Sequence, residues 1–298
     1  MLDVIVVGAG PAGLSAALIL GRCRRRVTVI DAGHPRNARA HALHGFLTRD
    51  GIAPLELLRI GREQLKPYRS VSLLRGVVVD ARPSRPGFAV RLAGGRRLEA
   101  RRLLLATGVV DHVPRLEGID QFYGRSVFHC PYCDGWEVRD RRIAVYGHGR
   151  TGAGLAFDLT GWTRQITLCT NGRPRLSAVL SRQLDAHGIV VQPARIERLE
   201  GTNGVLRRIV FRDGEALACR AMFFSSPQQQ RSDLAARLGC RFTRKGAVNT
   251  GWCESTNVRG LFVAGDASRN VQLAVIAAAE GAEAAFAINK SLLHEERR

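Results

Sequence analysis

With 298 residues, the chain is long enough for one large domain or two medium-sized ones, and its 45% hydrophobic content is typical of a packed soluble globule rather than a disordered chain. Lys and Arg number 45 against 26 Asp and Glu, and this formal net charge of +19 indicates either an arginine-rich solvated surface or electrostatic steering of an acidic partner. No nucleic-acid-binding motif accompanies the charge, and the seven cysteines are too scattered for a disulfide scaffold, so we expect neither.

The first predicted elements are a buried strand, a glycine-rich turn, a helix and a second strand, at residues 4–7, 8–13, 14–20 and 27–30. The spacing Gly8-x-Gly10-x-x-Gly13 lets the backbone approach a pyrophosphate and points a helix N-terminus at it. Asp31, at the end of the second strand, is placed to accept hydrogen bonds from an unphosphorylated adenosine ribose. This unit therefore predicts an FAD or NAD site.

The apolar stretch of residues 4–20 is too interrupted for a membrane span or a signal peptide. It lacks a basic leading region, and glycines and a proline break it where a helix would have to continue. We therefore expect a cytoplasmic protein that does not span a membrane.

Residues 81–102 predict a small antiparallel meander inserted in the first fold, because short apolar runs alternate there with prolines and glycines. A buried strand at residues 103–105 follows and runs into the turn Ala106-Thr107-Gly108.

The heptad His129-Cys130-Pro131-Tyr132-Cys133-Asp134-Gly135 contains the one close cysteine pair of the chain. Two residues between cysteines allow a reducible disulfide, and Asp134 is positioned to move a proton during thiol–disulfide exchange. His129 could do the same or simply cap a turn. A zinc site would need two further ligands at matched spacing, and no second CxxC exists, so we predict no metal.

A second strand–turn–helix–strand unit begins at residue 143, with elements at residues 143–146, 147–152, 153–159 and 165–169. Its turn has the spacing Gly147-x-Gly149-x-x-Gly152, but no acid ends the following strand. Arg173 and Arg175 follow and could hold a 2′-phosphate. The sequence leaves open whether this turn binds NAD(P)H or is degenerate.

The strand-then-glycine pattern returns near the C-terminus at Gly265-Asp266, and a long helix is predicted at residues 271–293. The pattern predicts an α/β protein of two Rossmann-like, three-layer (ββα) dinucleotide-binding domains, the second inserted in the first. The predicted domains are residues 1–115 with 247–298, and residues 116–246, which carry the CxxC pair.

Together these motifs resemble the low-molecular-weight thioredoxin reductase family, the class II pyridine nucleotide-disulfide oxidoreductase flavoproteins, over the whole chain. The resemblance implies an FAD-dependent enzyme that acts on a thioredoxin-like protein or on a small disulfide or dithiol, usually as a homodimer. It implies FAD contacts at the first turn, the second strand end, the loop after it, the Ala-Thr-Gly turn and the last helix start: Gly8, Gly10, Pro11, Ala12, Gly13, Asp31, Asn37, His44, Gly45, Ala106, Thr107, Gly108, Gly265, Asp266, Gln272, Leu273 and Ala274.

The resemblance also implies that Cys133 faces the flavin, that Cys130 attacks the substrate disulfide and that Asp134 manages the proton. Two motifs depart from the family. Residues 170–175 replace the His-Arg-Arg run of members that use NADPH, and residues 271–273 replace an Arg-Gln-Ala run. The alternatives are therefore an NAD(P)H-dependent reductase, a reductase fed by another carrier, and a dithiol oxidase that uses oxygen. A redox sensor without turnover is disfavoured by Asp134.

Overall fold

The chain forms two compact units in the computed structural model, which describes residues 1–269 and 271–297. Unit 1 consists of Met1–Ala38, Gly45–Val110 and Gln228–Arg298, and unit 2 of Arg39–His44 and Asp111–Pro227. Most of unit 2 is thus one insertion in unit 1. Asn270 and Arg298, both inside the predicted cofactor domain, lie outside the described residues.

Strands and helices alternate around both glycine turns, as expected for an α/β protein, and two runs of consecutive strands interrupt the alternation. In chain order they are β1 (Leu2–Val7), α1 (Pro11–Arg22), β2 (Val27–Asp31), α2 (Pro54–Leu65), β3 (Val71–Arg75), β4 (Val78–Ser84), β5 (Gly87–Leu92), β6 (Arg97–Leu105), β7 (Val109–Asp111), α3 (Ile119–Phe122), β8 (Val127–Phe128), α4 (Pro131–Asp134), β9 (Ile143–Tyr146), α5 (Gly149–Leu159), β10 (Ile166–Cys169), α6 (Ala178–Ala186), β11 (Val190–Gln192), β12 (Ile196–Thr202), β13 (Val205–Phe211), β14 (Ala216–Ala218), β15 (Ala221–Phe224), β16 (Gln228–Gln230), α7 (Leu234–Arg237), β17 (Leu261–Val263) and α8 (Ala274–Glu296).

The main sheet of unit 1 runs in the order β3-β2-β1-β6-β5-β4, with β17 also paired to β6. Strands β1, β2, β3, β6 and β17 pair in parallel, whereas β4, β5 and β6 pair antiparallel. Helices α1 and α8 pack together over one face. Their backbones meet closely at Gly281, where a Cβ would overlap the carbonyl of Ala12. The predicted α/β class is confirmed.

Strand β6 pairs antiparallel with β5 and in parallel with β1, which the sequence pattern did not predict. The antiparallel meander is present, but its last strand continues without a break through the strand predicted separately at residues 103–105. Ala100 marks the change, because it pairs with Phe88 of β5 and with Leu2 of β1. Before Ala100 the strand alternates between exposed and half-buried residues, and its last three residues are buried.

Unit 2 contains a parallel sheet in the order β11-β10-β9-β15-β8 and a separate antiparallel sheet of β12, β13 and β14. Strand β9 pairs with β10 on one side and β15 on the other, so the second glycine turn, which follows β9, lies at the centre of a parallel sheet. This is the position at which a doubly wound sheet places a ligand-binding turn.

The two units are divided at other residues than the predicted domains, which end at residues 115 and 246. The divisions fall after Val110 and after Pro227. The segment that follows Pro227 belongs to unit 1 because α7 buries Leu234, Ala235 and Leu238 in the hydrophobic core beneath the unit 1 sheet.

The last helix begins three residues later than predicted. Leu273 is its N-cap and has extended backbone angles, so Gln272 and Leu273 precede the helix. Within residues 1–269 and 271–297, no helix combines the length and the apolar character that crossing a membrane requires.

Candidate active site

Cys130 and Cys133 form a disulfide in unit 2, with a Cα–Cα distance of 5.3 Å. Cys130 directly precedes the short helix α4, and Cys133 lies within it. The backbone N–H of Cys133 donates a hydrogen bond to Sγ of Cys130 at 3.2 Å. A donor aimed at this sulfur would favour its thiolate once the bond is reduced.

The segment that carries the disulfide also carries aromatic side chains, two of which are exposed. A Cβ at Gly135 would overlap the ring of Trp162, so a glycine is needed for α4 to pack against that ring. The same indole meets Tyr132 edge to face, with 5.6 Å between ring centroids. Tyr132 is 74% exposed and presents apolar surface near the cysteine pair, whereas Trp136, 63% exposed, has the Arg139 guanidinium over its ring at 4.0 Å from the centroid.

Asp134 has an unusual electrostatic environment. Burial, and to a smaller extent the charge of Glu137, raises the pKa of Asp134 to about 7. Glu137 Oε1 in turn lies 3.5 Å from Nε2 of His44, a predicted cofactor contact that the structure groups with unit 2. A carboxyl group with a pKa near 7 can both donate and accept a proton at neutral pH.

Both ring nitrogens of His129 face polar groups of unit 2. Nδ1 lies 3.3 Å from the Tyr123 hydroxyl, and Nε2 lies 3.8 Å from an oxygen of the buried Asp111 carboxylate. These contacts hold the ring in place. They favour a structural role for His129, the alternative to proton transfer at the sulfurs, through these side-chain contacts.

The first glycine turn connects β1 to α1 with very close backbone packing. A Cβ at Gly8 would overlap the carbonyl of Ala106, and a Cβ at Gly13 would overlap the carbonyl of Gly8. Nothing lies within 4 Å of the Cβ position at Gly10, and no side chain caps the N-terminus of α1. The turn thus leaves open space and free N–H groups where a pyrophosphate would bind.

We expect Gly13→Ala to lower the free energy of unfolding by about 2 kcal/mol or more, because the methyl group has no room beside the Gly8 carbonyl. Gly10→Ala is the matched control. Its backbone has φ −73°, which alanine tolerates, and the site is open, so its free energy of unfolding should change by less than about 0.5 kcal/mol. Urea unfolding of both variants measures the difference. Equal destabilisation would contradict the packing described for this turn.

Asp31 ends β2 beside the first turn. Its Oδ1 accepts a hydrogen bond from the backbone N–H of Ala9 at 3.2 Å, and its Oδ2 pairs with Arg62 at 3.1 Å. Each carboxylate oxygen can accept a second hydrogen bond, so these contacts orient Asp31 and leave it capable of binding a ribose.

Asp266 follows β17 and is held by a residue that no sequence motif indicated. Arg36 Nη1 lies 2.8 Å from Oδ2 of Asp266 and 2.6 Å from Oε1 of Gln272. Gln272 also donates to the Asp266 carbonyl at 3.3 Å. Arg36 thus joins two predicted cofactor residues that precede α8. Its neighbour Asn37, also predicted, is partly buried in the same loop.

Unit 1 brings together three motifs that are distant in sequence. Gly8 meets Ala106, at the start of the Ala106–Gly108 turn, and a Cβ at Gly265 would lie 3.1 Å from the Cβ of Ala12. The first turn therefore contacts both of the other predicted cofactor turns of unit 1. Gly45, by contrast, is fixed locally, since its N–H donates to Asp50 Oδ1 at 2.7 Å.

The second glycine turn has the shape of a nucleotide-binding turn, but the N–H of its central glycine, Gly149, is already bonded. Gly147 and Gly152 pack against each other, since a Cβ at Gly152 would lie 2.5 Å from the carbonyl carbon of Gly147, but less tightly than Gly13 packs on Gly8. The N–H of Gly149, however, donates to the carbonyl of Pro174 at 2.8 Å, so the loop after β10 folds against the turn. Within the described part of the chain, His, Cys, Asp and Glu side chains form no group of three or more that could hold a metal ion.

Comparison with known proteins gives concordant results. Residues 2–281 match the pyridine nucleotide-disulphide oxidoreductase family. Thioredoxin reductase tcpT from Claviceps purpurea is 31% identical over 277 residues, which cover 89% of this chain and 86% of that protein. An oxidoreductase from Agrobacterium tumefaciens is 36% identical with a TM-score of 0.90, and the match covers 98% of this chain and 99% of that one. The thioredoxin reductase of Streptococcus pyogenes has the same fold, with a TM-score of 0.91 at 22% identity and 99% coverage of both chains.

Proposed function

The chain belongs to the pyridine nucleotide-disulphide oxidoreductase family and is a thioredoxin reductase-like oxidoreductase, and on this premise we propose that it passes electrons between FAD and a disulfide through Cys130 and Cys133. The observation that supports this function most directly is the Cys130–Cys133 disulfide beside Asp134, whose pKa is raised to about 7. A group that can donate and accept protons next to a disulfide supports repeated cycles of thiol–disulfide exchange.

Unit 1 has the features that an FAD site needs. The turn at residues 8–13 would hold the pyrophosphate, Asp31 the adenosine ribose and Asp266 the ribityl or pyrophosphate portion. The fit rests on the open space at Gly10, the uncapped N-terminus of α1 and the close approach of Gly8 to Ala106. FAD, when bound, supplies two-electron redox chemistry. The start of α8 at Ala274 would direct backbone N–H groups toward the cofactor and favour negative charge there.

The two cysteines have distinct roles in the proposed reaction. Breaking the Cys130–Cys133 bond takes up two electrons and leaves two sulfurs, one of which Asp134 can protonate. The Cys130 thiolate, favoured by the Cys133 N–H, then attacks the substrate disulfide, forms a mixed disulfide and releases one substrate thiolate. Attack by Cys133 on Cys130 restores the enzyme disulfide and releases the second substrate thiolate. The two electrons end on the substrate dithiol.

The substrate in this proposal is a thioredoxin-like protein or a small disulfide. The exposed ring of Tyr132 offers apolar contact surface near the reactive pair, and the net charge of +19 favours an acidic partner. We also propose that the enzyme works as a homodimer, as is usual in the family.

A second candidate function is a disulfide reductase or dithiol oxidase that does not use NAD(P)H. One observation favours it. The Gly149 N–H, a group that would face the pyrophosphate of a nicotinamide cofactor, donates instead to the Pro174 carbonyl. Arg173 and Arg175, the candidates for binding a 2′-phosphate, are exposed and flank Pro174 in sequence.

An anaerobic titration separates the two candidates. The purified protein should carry FAD, and its flavin absorbance is followed while NADPH, NADH, dithiothreitol or dithionite is added. Bleaching by a stoichiometric amount of NADPH or NADH supports the nicotinamide-dependent reductase. Bleaching only by the dithiol or dithionite supports the second candidate, which we expect from the position of Pro174. A protein that is colourless and takes up no FAD would contradict both.

A further inference from the structure

Two buried carboxylates and one partly exposed arginine form a cluster at the turn after β17 in unit 1. Arg269 Nε lies 2.9 Å from Glu280 Oε1, and a terminal nitrogen of the same guanidinium forms a hydrogen-bonded ion pair with Glu254. The second oxygen of each carboxylate is also bonded. Glu280 Oε2 accepts from the backbone N–H of Gly265 at 2.8 Å, and Glu254 Oε2 accepts from the Thr250 hydroxyl at 3.0 Å.

This cluster is costly to maintain. The Glu254 side chain is 0% exposed and that of Glu280 7% exposed, whereas the Arg269 side chain is 42% exposed. Removing two carboxylates from water has a desolvation cost, which a single partly exposed arginine offsets only in part. In addition, Cys253 and Glu254 both have left-handed backbone angles, φ 47° and φ 63°, a conformation that costs non-glycine residues about 1–3 kcal/mol each. A cluster that is retained at such cost is better explained by what it positions than by the stability it contributes.

The group that the cluster holds is the backbone of the turn that carries Asp266. Gly265 has φ +82° and packs against Ala12 of the first glycine turn, so its orientation sets where the following carboxylate points. Glu280 fixes this orientation from the second turn of α8 through the Gly265 N–H, and Arg269 fixes the Glu280 carboxylate. On the other side of the turn, Arg36 binds the Asp266 carboxylate itself.

We propose that Glu280 and Arg269 are positioning residues, which act through Gly265 to hold Asp266 in the geometry that the cofactor site requires. The proposal rests on the proposed FAD site for the identity of the cofactor. The Glu280–Gly265 contact is a property of unit 1 whether or not FAD is the ligand. Neither Glu280 nor Arg269 is proposed to touch the cofactor.

The decisive variant is Glu280→Leu, which fills similar space but removes the acceptor for the Gly265 N–H. Its matched control is Glu283→Leu, the same change at an exposed position less than one turn further along α8. Two quantities are measured. Hydrogen exchange reports on the backbone amides of residues 262–268 in the purified protein, and a fluorescence titration gives the Kd for FAD after the flavin has been removed.

We expect Glu280→Leu to accelerate exchange at Gly265 and to raise the Kd for FAD, each by roughly tenfold or more, because a buried hydrogen bond to a carboxylate is lost. Glu283→Leu should change neither. Glu280→Gln keeps an acceptor in the same space and should give a smaller rise in Kd, of roughly threefold, which keeps the test informative if the leucine variant does not fold.

Unchanged exchange in Glu280→Leu would overturn the proposal, as would faster exchange with an unaltered Kd, since the contact would then serve stability alone. A wild-type protein that binds no FAD would instead refute the proposed function, and the exchange measurement would still decide whether Glu280 holds the turn.

Discussion

Replacing Cys133 by serine is expected to stop turnover and to trap the disulfide substrate on Cys130. The variant keeps the Cys130 thiol and loses the sulfur that resolves the mixed disulfide, so a chromogenic aromatic disulfide should release one equivalent of thiolate and no more. Steady-state disulfide reduction should fall by roughly 10³-fold or more, as is usual when a covalent catalytic group is removed. Mass spectrometry of the intact protein identifies the trapped adduct.

Cys130→Ser is the comparison that assigns the two sulfurs. It should lose turnover to the same extent but should react with the aromatic disulfide at least roughly tenfold more slowly, because Cys133 lacks the backbone donor that Cys130 receives at 3.2 Å. Both variants are made in a Cys23→Ser background, since Cys23 is an exposed free thiol that would add to the signal. Equal rates of adduct formation in the two variants would contradict the assignment of Cys130 as the nucleophile.

The sequence predicted the local motifs of unit 1 well because their physical requirements are local. A buried strand that ends in Gly8-x-Gly10-x-x-Gly13 has few alternatives to the strand–turn–helix observed at β1 and α1. The errors arose where tertiary pairing decided the outcome. Strand β6 is one strand rather than two because Ala100 pairs on both sides, and no periodicity in the sequence records a change of partner.

The helix α8 shows a similar limit. Residues 271–273 are apolar enough to continue a helix, yet Gln272 turns its side chain toward Arg36 and Asp266 and the helix starts at Ala274. The deviation comes from long-range polar contacts, which outweigh local helix propensity at a helix end.

In the candidate site, too, the residues of local motifs could be predicted from the sequence, and those that depend on long-range contacts could not. The cysteine pair and Asp134 are adjacent in sequence, so their spacing was enough to predict them. The supporting residues come from other elements. Arg36 is separated by more than two hundred residues from Asp266, and the bond between Gly149 and Pro174 depends on how the loop after β10 folds. The one sequence signal that could have indicated Arg36 is its place directly before Asn37, in a loop predicted to contact the cofactor.

Asp134→Asn is expected to change the pH dependence of both activity and stability. In the folded protein the pKa of Asp134 is raised from 3.8 to about 7, so below about pH 7 the carboxyl is a neutral proton donor. As the pH rises through 7 the donor is lost, and the rate of reduction of the enzyme disulfide should decline. The variant lacks this decline, and at pH 6 its rate should be about 10²-fold lower than that of the wild type, a common loss when a general acid is removed.

The effect of Asp134 on the free energy of unfolding has the opposite sign to that of a carboxylate whose pKa is lowered by folding. Between pH 3.8 and about 7 the folded state keeps a proton that the unfolded chain releases, so the free energy of unfolding of the wild type decreases as the pH rises through this window. At pH 8 the folded state carries a partly buried charge that Asp134→Asn removes. The variant should therefore be more stable than the wild type there, by about 2 kcal/mol once partial exposure of the carboxylate is allowed for. Urea unfolding at pH 4 and pH 8 measures this difference.

Two further variants test whether the pH effects belong to Asp134. Glu137→Gln removes the neighbouring charge that contributes to the raised pKa, so the decline in rate should move to lower pH while the rate at the optimum is kept. Asp140→Asn alters an exposed carboxylate in the same segment and should leave both profiles unchanged. If Asp134→Asn kept the wild-type decline near pH 7, another group would have to supply the proton. His129 would then be the first to examine, because it directly precedes Cys130 and its ring already lies between a hydroxyl and a carboxylate.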